Sequence, residues 1–504
     1  MTIDAGAVPH ELAAAYFDAL AIAAVSILKS NSEPAFLANP YLHPRNTHPA
    51  TLSVYEPFLA RQAEPSSFLS SVLSGVHALV NSVCDRGIRD LRDQVRGPVH
   101  FLFVSHLLRP EQLQTGQDIY YADLPYTLAK SGLSSGVALI DHTGIAPAVL
   151  EPHWAAQGVP RFLLPRTMSF HEELGYSIAL SRAGRRLRHW KSGDVDQDAV
   201  AQRAAAHASS GAARAALRIG NQLAKLVEHT GARILVMTYE GHAWERLAML
   251  LARRVRPDLV CVCYSHAVLF PKPHAMTASL GPSMDPAVIL TPGSITRDKL
   301  TKLVHMADTS VDVLGSVRRG HALSAHDRPA RCLILPEGLV SECLPLISVA
   351  LEAARLLPDV SFMIRLHPIL SKNELLEAAP HFHLLPANVE WSAQAPLVED
   401  LSASRWMLYR GSSAVFQGVE AGLKPFYLDL PQDLSPIDPL LGLAVWRSRI
   451  TSGRELAAAL RSPVDIAADK ADLAVARSYC EDYFAPLNPS ILVDIAKATL
   501  GKEA

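Results

Sequence analysis

A chain of 504 residues exceeds what one hydrophobic core organises, and at roughly 100 to 200 residues per domain it predicts two or three units. Composition is that of a globular protein, 49% hydrophobic and 19% charged, and 47 basic against 49 acidic residues leave a net charge of −2. That balance excludes a chain drawn to nucleic acid or to a membrane by its global field.

Residues 1–95 read as helical. An Ala-rich run over Glu11–Lys29 and a second run over Ser66–Asp93 are separated by a Pro-rich stretch around Pro40–Pro57, with no β-rich run between them. The apolar stretch Leu12–Leu28 contains Asp18 and is shorter than the ~20 residues needed to span a bilayer, so it predicts a buried helix. No basic segment followed by an apolar core and a cleavage site opens the chain. The expected location is the cytoplasm, with peripheral contact at the inner face of the inner membrane left open.

From Pro98 onward short apolar runs alternate with amphipathic stretches of helical length, the pattern of βα units on a parallel sheet. Strands are expected at His100–Val104, Gly136–Ile140, Arg161–Leu164, Arg233–Thr238, Leu259–Tyr264, Ala287–Leu290 and Val311–Leu314. A polar segment, Arg319–Arg331, precedes a second series at Cys332–Leu335, Val360–Leu366, Val389–Ser392, Arg405–Tyr409 and Pro425–Leu430. Helices are expected between these strands at Leu344–Leu357, Ser371–Ala379, Ser413–Gly422 and Gly453–Arg461, with a last one near Pro489–Leu500. The reading is therefore an α/β protein with a helical extension (1–95), a Rossmann-like domain (96–325), a second Rossmann-like domain (326–480) and a C-terminal helix (481–504). The six cysteines are scattered, mostly in apolar runs, which predicts buried thiols and no metal site.

Open α/β sheets bind ligands beyond the carboxyl ends of their strands, so the residues just after each strand carry the information. Arg365-Leu366-His367-Pro368 ends one strand, with His367 placed either to bond a leaving phosphate or to satisfy its own turn. Tyr409-Arg410-Gly411-Ser412-Ser413 feeds a strand into a helix start, where Ser412 and Ser413 can hold phosphate, cap the helix, or do both. Glu420, two turns on, either grips a ribose or is a solvated carboxylate. In the first half, Tyr239-Glu240-Gly241-His242 follows a strand, and Glu240 there can take a proton from an acceptor hydroxyl or cap a helix. Glu245 is expected to pair with a neighbouring arginine. Asp141 with His142, His266, and Glu337 with Gly338 occupy the same kind of position. The basic cluster Arg182, Arg185, Arg186, Arg188, His189 and Lys191 is a solvated face or a contact with an anionic acceptor or membrane. No Gly-x-Gly-x-x-Gly, P-loop lysine motif or Asp-x-Asp follows a strand.

The run Leu335-Pro336-Glu337-Gly338, Ile364-Arg365-Leu366-His367-Pro368, Arg410-Gly411-Ser412-Ser413 with Glu420 and Lys424-Pro425 resembles the donor domain of bacterial surface-carbohydrate transferases, namely capsule Kdo transferases and bacterial sialyltransferases of the GT-B type. The first half is similar to surface carbohydrate biosynthesis proteins through Val104-Ser105-His106-Leu107, Tyr120-Tyr121-Ala122-Asp123-Leu124-Pro125, Tyr239-Glu240-Gly241 with Trp244-Glu245, and Tyr264-Ser265-His266. The likeness spans about residues 98–430. It implies a GT-B fold with two domains facing across a cleft, and a CMP-activated sugar, Kdo-like or another nonulosonic acid, as donor for a surface polysaccharide. Glu337, Gly338, Arg365, His367, Pro368, Arg410, Ser412, Ser413 and Glu420 would contact that donor, with Glu240 as base and His242, His266 and Asp141 on the side of a glycan or glycolipid acceptor. No cofactor beyond the donor nucleotide and no metal is implied. Where sialyltransferases of this type have an acid-acid-glycine motif, this chain has Tyr239-Glu240-Gly241, and the stereochemical outcome stays open. The alternatives are a CDP-glycerol or CDP-ribitol phosphotransferase and a non-catalytic nucleotide- or glycan-binding subunit.

Overall fold

The computed structural model describes residues 10–29, 33–43, 80, 97–115, 117–145, 159–271, 273–318, 328–430, 435–462 and 466–501. Two parallel sheets organise them. The first has seven strands, β1 (Phe101–Leu107), β2 (Ser135–Asp141), β3 (Arg161–Leu164), β4 (Ile234–Thr238), β5 (Val260–Tyr264), β6 (Val288–Thr291) and β7 (Ser310–Val313), in the order 3-2-1-4-5-6-7. The second has six, β8 (Arg331–Leu335), β9 (Ser361–Ile364), β10 (Val389–Trp391), β11 (Trp406–Tyr409), β12 (Lys424–Leu428) and β13 (Ser448–Ile450), in the order 10-9-8-11-12-13. Both orders are doubly wound, so each sheet has a switch point, between β1 and β4 in the first and between β8 and β11 in the second. Together the two Rossmann-like domains make the GT-B arrangement.

The strand sequences suit sheets covered on both faces. Every residue of β4 is buried, as are the last four of β5 and of β8, and such strands read as continuous apolar runs rather than alternating ones. Strand β13 went unseen in the sequence because its three residues, Ser448-Arg449-Ile450, carry one apolar side chain. The expected helix Ser66–Asp93 lies outside the described residues, apart from Val80.

Three helices, Phe170–Arg188, Val195–His207 and Gly211–Thr230, stand between β3 and β4. They share a core with the N-terminal helix His10–Leu28 and the 3-10 segment Glu33–Leu42, in which Leu20, Ile27 and Tyr41 meet Leu180, Leu187 and Val200. The described part of the N-terminal extension is thus packed on the first domain.

The chain returns to the first domain after the second sheet. After the helix Ile466–Tyr483, backbone bonds from Ala485 N to Pro292 O (2.8 Å), Ser316 N to Ala485 O (2.8 Å) and Asn488 N to Leu314 O (2.7 Å) tie the returning segment to the first domain. The last helix, Ser490–Leu500, then buries Leu492 and Ala496 among Phe101, Phe103, Ile234 and Val236. Between the domains, Tyr483 accepts from Leu269 N at 3.0 Å, and Val268 and Ile295 join the second domain's core around Tyr409 and Phe416. Among the described residues no helix is long and apolar enough to cross a membrane.

Candidate active site

At the switch point of the first sheet, β4 ends and the chain turns through Tyr239-Glu240-Gly241-His242 into the helix Ala243–Val255. Gly241 makes the turn at φ +81°, and a Cβ there would lie 2.2 Å from the carbonyl oxygen of Ala275, so only glycine fits. The buried Glu245 carboxylate accepts from the N–H groups of Glu240 (3.1 Å), Gly241 (2.7 Å) and His242 (2.8 Å). It holds the turn's own backbone in place of the arginine partner expected from sequence. Burial, with Glu240's charge adding, pushes it up to about 7 against these three donors. From the N-terminal segment, Asn39 donates to Gly241 O at 2.9 Å, and His43 lies 3.2 Å from the same oxygen while stacking on His242.

Glu240, so placed, meets two histidines: His242 Nε2 at 3.3 Å and His266 Nε2, from the end of β5, at 3.6 Å. His106, at the end of β1, sits beside them with Nε2 3.1 Å from Thr238 Oγ1 and Nδ1 2.9 Å from His142 Nε2. Burial first, then neighbouring histidines, drives His106 down to about 3; burial and Arg318 bring His266 to about 4 against the pull of Glu240. Both are neutral at pH 7. Tyr120 covers His266 edge-on at 4.4 Å. Asp141 stands apart from this group, accepting from Thr143 (2.7 Å) and paired with Arg166 at 3.0 Å.

At the switch point of the second sheet three separate motifs meet. A Cβ on Gly338 would lie 3.1 Å from His367 Nδ1, and one on Gly411, at φ +69°, would lie 2.7 Å from Glu337 Oε2. Glu337-Gly338 after β8, His367 after β9 and Gly411, with Ser412 next in the chain, after β11 therefore lie side by side at this sheet edge. Pro368 is exposed beside it. Ser413 sits at the N-cap of the helix Ala414–Glu420 but makes no capping bond with its side chain, so it is a cap by position only. The half-buried His367 is lowered by burial, with Arg318 and Arg109 of the first domain adding and Glu337 opposing.

Two of the expected donor contacts point elsewhere, and a third is buried. Arg365 Nη1 donates to Asp400 (2.6 Å) and to Ala395 O (2.7 Å). Arg410 is 1% exposed, its Nε donating to the buried Glu342 at 2.6 Å and its Nη1 to Leu428 O at 3.2 Å. Glu420 is 7% exposed, not a solvated carboxylate, and its backbone carbonyl accepts from Arg477. For Arg365 and Arg410 a partner distant in sequence claims the side chain. Sequence reasoning passed over Arg109, Arg318 and the placement of His106. Arg318 lies one residue beyond Gly315-Ser316-Val317, just past β7, and its charge acts on His266 and Tyr120 of one edge and His367 of the other. The signal was its position after a strand.

No family model matches the chain, and no curated protein matches it. Among solved structures it is similar to the glycotransferase of kitacinnamycin (16% identity over 80% of this chain and 99% of that one, TM-score 0.47). It is also similar to the glycosyltransferase SnogD from Streptomyces nogalater (16%, 79% and 99%, TM-score 0.43). A third is the UDP-GlcNAc 2-epimerase from Neisseria meningitidis bound to UDP-GlcNAc (14%, 80% and 99%, TM-score 0.43). What the site can do rests on its own geometry.

Proposed function

We propose that the chain is a glycosyltransferase that moves a sugar from a nucleotide donor held at the second switch point to a hydroxyl presented at the first. The observation that carries this reading is the pairing of edges: Glu337, Gly338, His367, Gly411 and Ser412 on one, Glu240 between His242 and His266 on the other, with Arg318 acting on both. Glu240 takes the acceptor proton as the acceptor oxygen bonds to the anomeric carbon. The bond from that carbon to the donor phosphate breaks, and the phosphate leaves with the electron pair. Neutral His367 donates a hydrogen bond to it, Ser412 and Ser413 offer hydroxyls, and Arg318 supplies the positive charge that Arg365 and Arg410 spend on Asp400 and Glu342. Such donors stabilise the departing anion without reorganising.

For the donor we favour a CMP-activated Kdo-like or other nonulosonic acid, and for the product a bacterial surface polysaccharide; the support is the His-Pro and Ser-Ser pair and the meeting of both motifs at one edge. Thermal denaturation with CMP, CDP, UDP, GDP and ADP tests this. A nucleotide at 100 times its Kd adds about 2.7 kcal/mol to the folded state. Stabilisation by CMP that disappears in His367→Ala is the expected result. A response to UDP or GDP instead replaces the donor class, and no response to any nucleotide overturns the reading.

A further inference from the structure

The helix Phe170–Arg188 has two faces. Leu180, Ala183 and Leu187 are buried against Val200, Ala201 and Ala204 of the next helix and against the segment Glu33–Leu42. At 3.6 residues per turn, Phe170, Leu174 and Ile178 fall on the opposite side, and Arg182, Arg185 and Arg188 continue the same stripe. Phe170 is 41% exposed, Leu174 38% and Ile178 43%, and the three arginines are exposed, as are His189 and Lys191 beyond them. The helix's two acids are committed elsewhere: Glu173 is buried and bound by Arg218 at 2.6 Å, and Glu172 is paired with Lys225. The outward face is thus apolar over its first half and cationic over its second.

We propose that this face docks the protein on an anionic phospholipid bilayer. Phe170, Leu174 and Ile178 enter the boundary between headgroups and acyl chains, and Arg182, Arg185 and Arg188 meet lipid phosphates while their stems lie along the surface. A dissolved polyanion satisfies the arginines but leaves the three apolar side chains in water, whereas a bilayer takes both. With a whole-chain charge of −2, attraction comes from this face alone, so binding is reversible and salt-sensitive.

Flotation of the full chain with vesicles tests it. The protein rises with phosphatidylglycerol–phosphatidylcholine vesicles at low salt, stays behind with phosphatidylcholine alone, and is released by high salt. Replacing Arg182, Arg185 and Arg188 by alanine weakens partitioning by about fivefold per residue. The triple variant Phe170→Ser, Leu174→Ser, Ile178→Ser weakens it by at least roughly tenfold with little change in thermal midpoint, because these side chains are largely outside the core. Failure of the wild type to float with anionic vesicles overturns the proposal. So does flotation that is insensitive to the three serine substitutions while abolished by the alanines, which marks a general polyanion surface.

Discussion

Burial decides what each arginine near the two sheet edges does. Arg410 and Glu342 are both almost fully enclosed and meet in an ion pair. Removing one partner of such a buried pair costs about 3–5 kcal/mol. Arg410→Met is therefore expected to lower stability by that amount in urea denaturation. Arg318→Ala, at a partly exposed position, should leave stability within about 0.5 kcal/mol while weakening nucleotide binding. Equal destabilisation by the two substitutions would contradict this division. The sequence named His367, Glu337, Gly338 and Ser412 because each follows a strand, and the fold gathers them. It could not tell Arg365 and Arg410 from a phosphate ligand, because their partners lie 35 and 68 residues away.

The turn from β4 into its helix is the element on which the proposed base depends. Four contacts define it: Asn39 and His43 on the Gly241 carbonyl, Glu245 on the N–H groups, and Ala275 packed where a side chain would be. Gly241→Ala meets both a left-handed backbone and a carbonyl 2.2 Å away, and is expected to cost about 2–4 kcal/mol and to displace Glu240. Asn39→Ala removes one donor from a buried carbonyl and should cost about 1–3 kcal/mol. Thermal denaturation of both variants checks the order, and Asn39→Ala as the more damaging would show that the N-terminal segment, not the glycine, sets the turn. Most strands were legible as apolar runs and shifted by a residue or two. The 3-10 segment Glu33–Leu42 was not, since its bond to Gly241 joins positions 202 residues apart and leaves no local pattern.

Across the whole molecule, buried histidines and buried carboxyls oppose one another as pH changes. The folded-state values of His106 and His266 are depressed, so below about 6.5 the unfolded chain binds protons that the folded chain refuses until about 3 and 4. Stability from these two falls as pH is lowered through that window, by about 1.4 kcal/mol per pH unit for each. Glu245, raised to about 7, and the raised Asp118 and Asp438 act in the opposite sense, losing stability as pH rises. The carboxyls thus oppose the histidines, and a variant isolates the histidine part. His106→Asn should lose stability less steeply than wild type on going from pH 6 to 4, by about 1.4 kcal/mol per unit; parallel curves in urea denaturation would mean that His106 is protonated in the folded protein.

The return of the chain to its first domain has a consequence for synthesis. Leu492 and Ala496 close part of the apolar surface formed by Phe101, Phe103, Ile234 and Val236, although they are made after the whole second sheet. At about 5–20 residues per second, roughly 10 to 40 seconds separate translation of β7 from that of the final helix. During that interval an early-made sheet waits on the ribosome with one side incompletely covered, while the later domain is threaded out and folds between its two halves. The first domain's cover is thereby completed only after the second sheet has been made. A chaperone that shields the first sheet would act on this protein while it is still nascent.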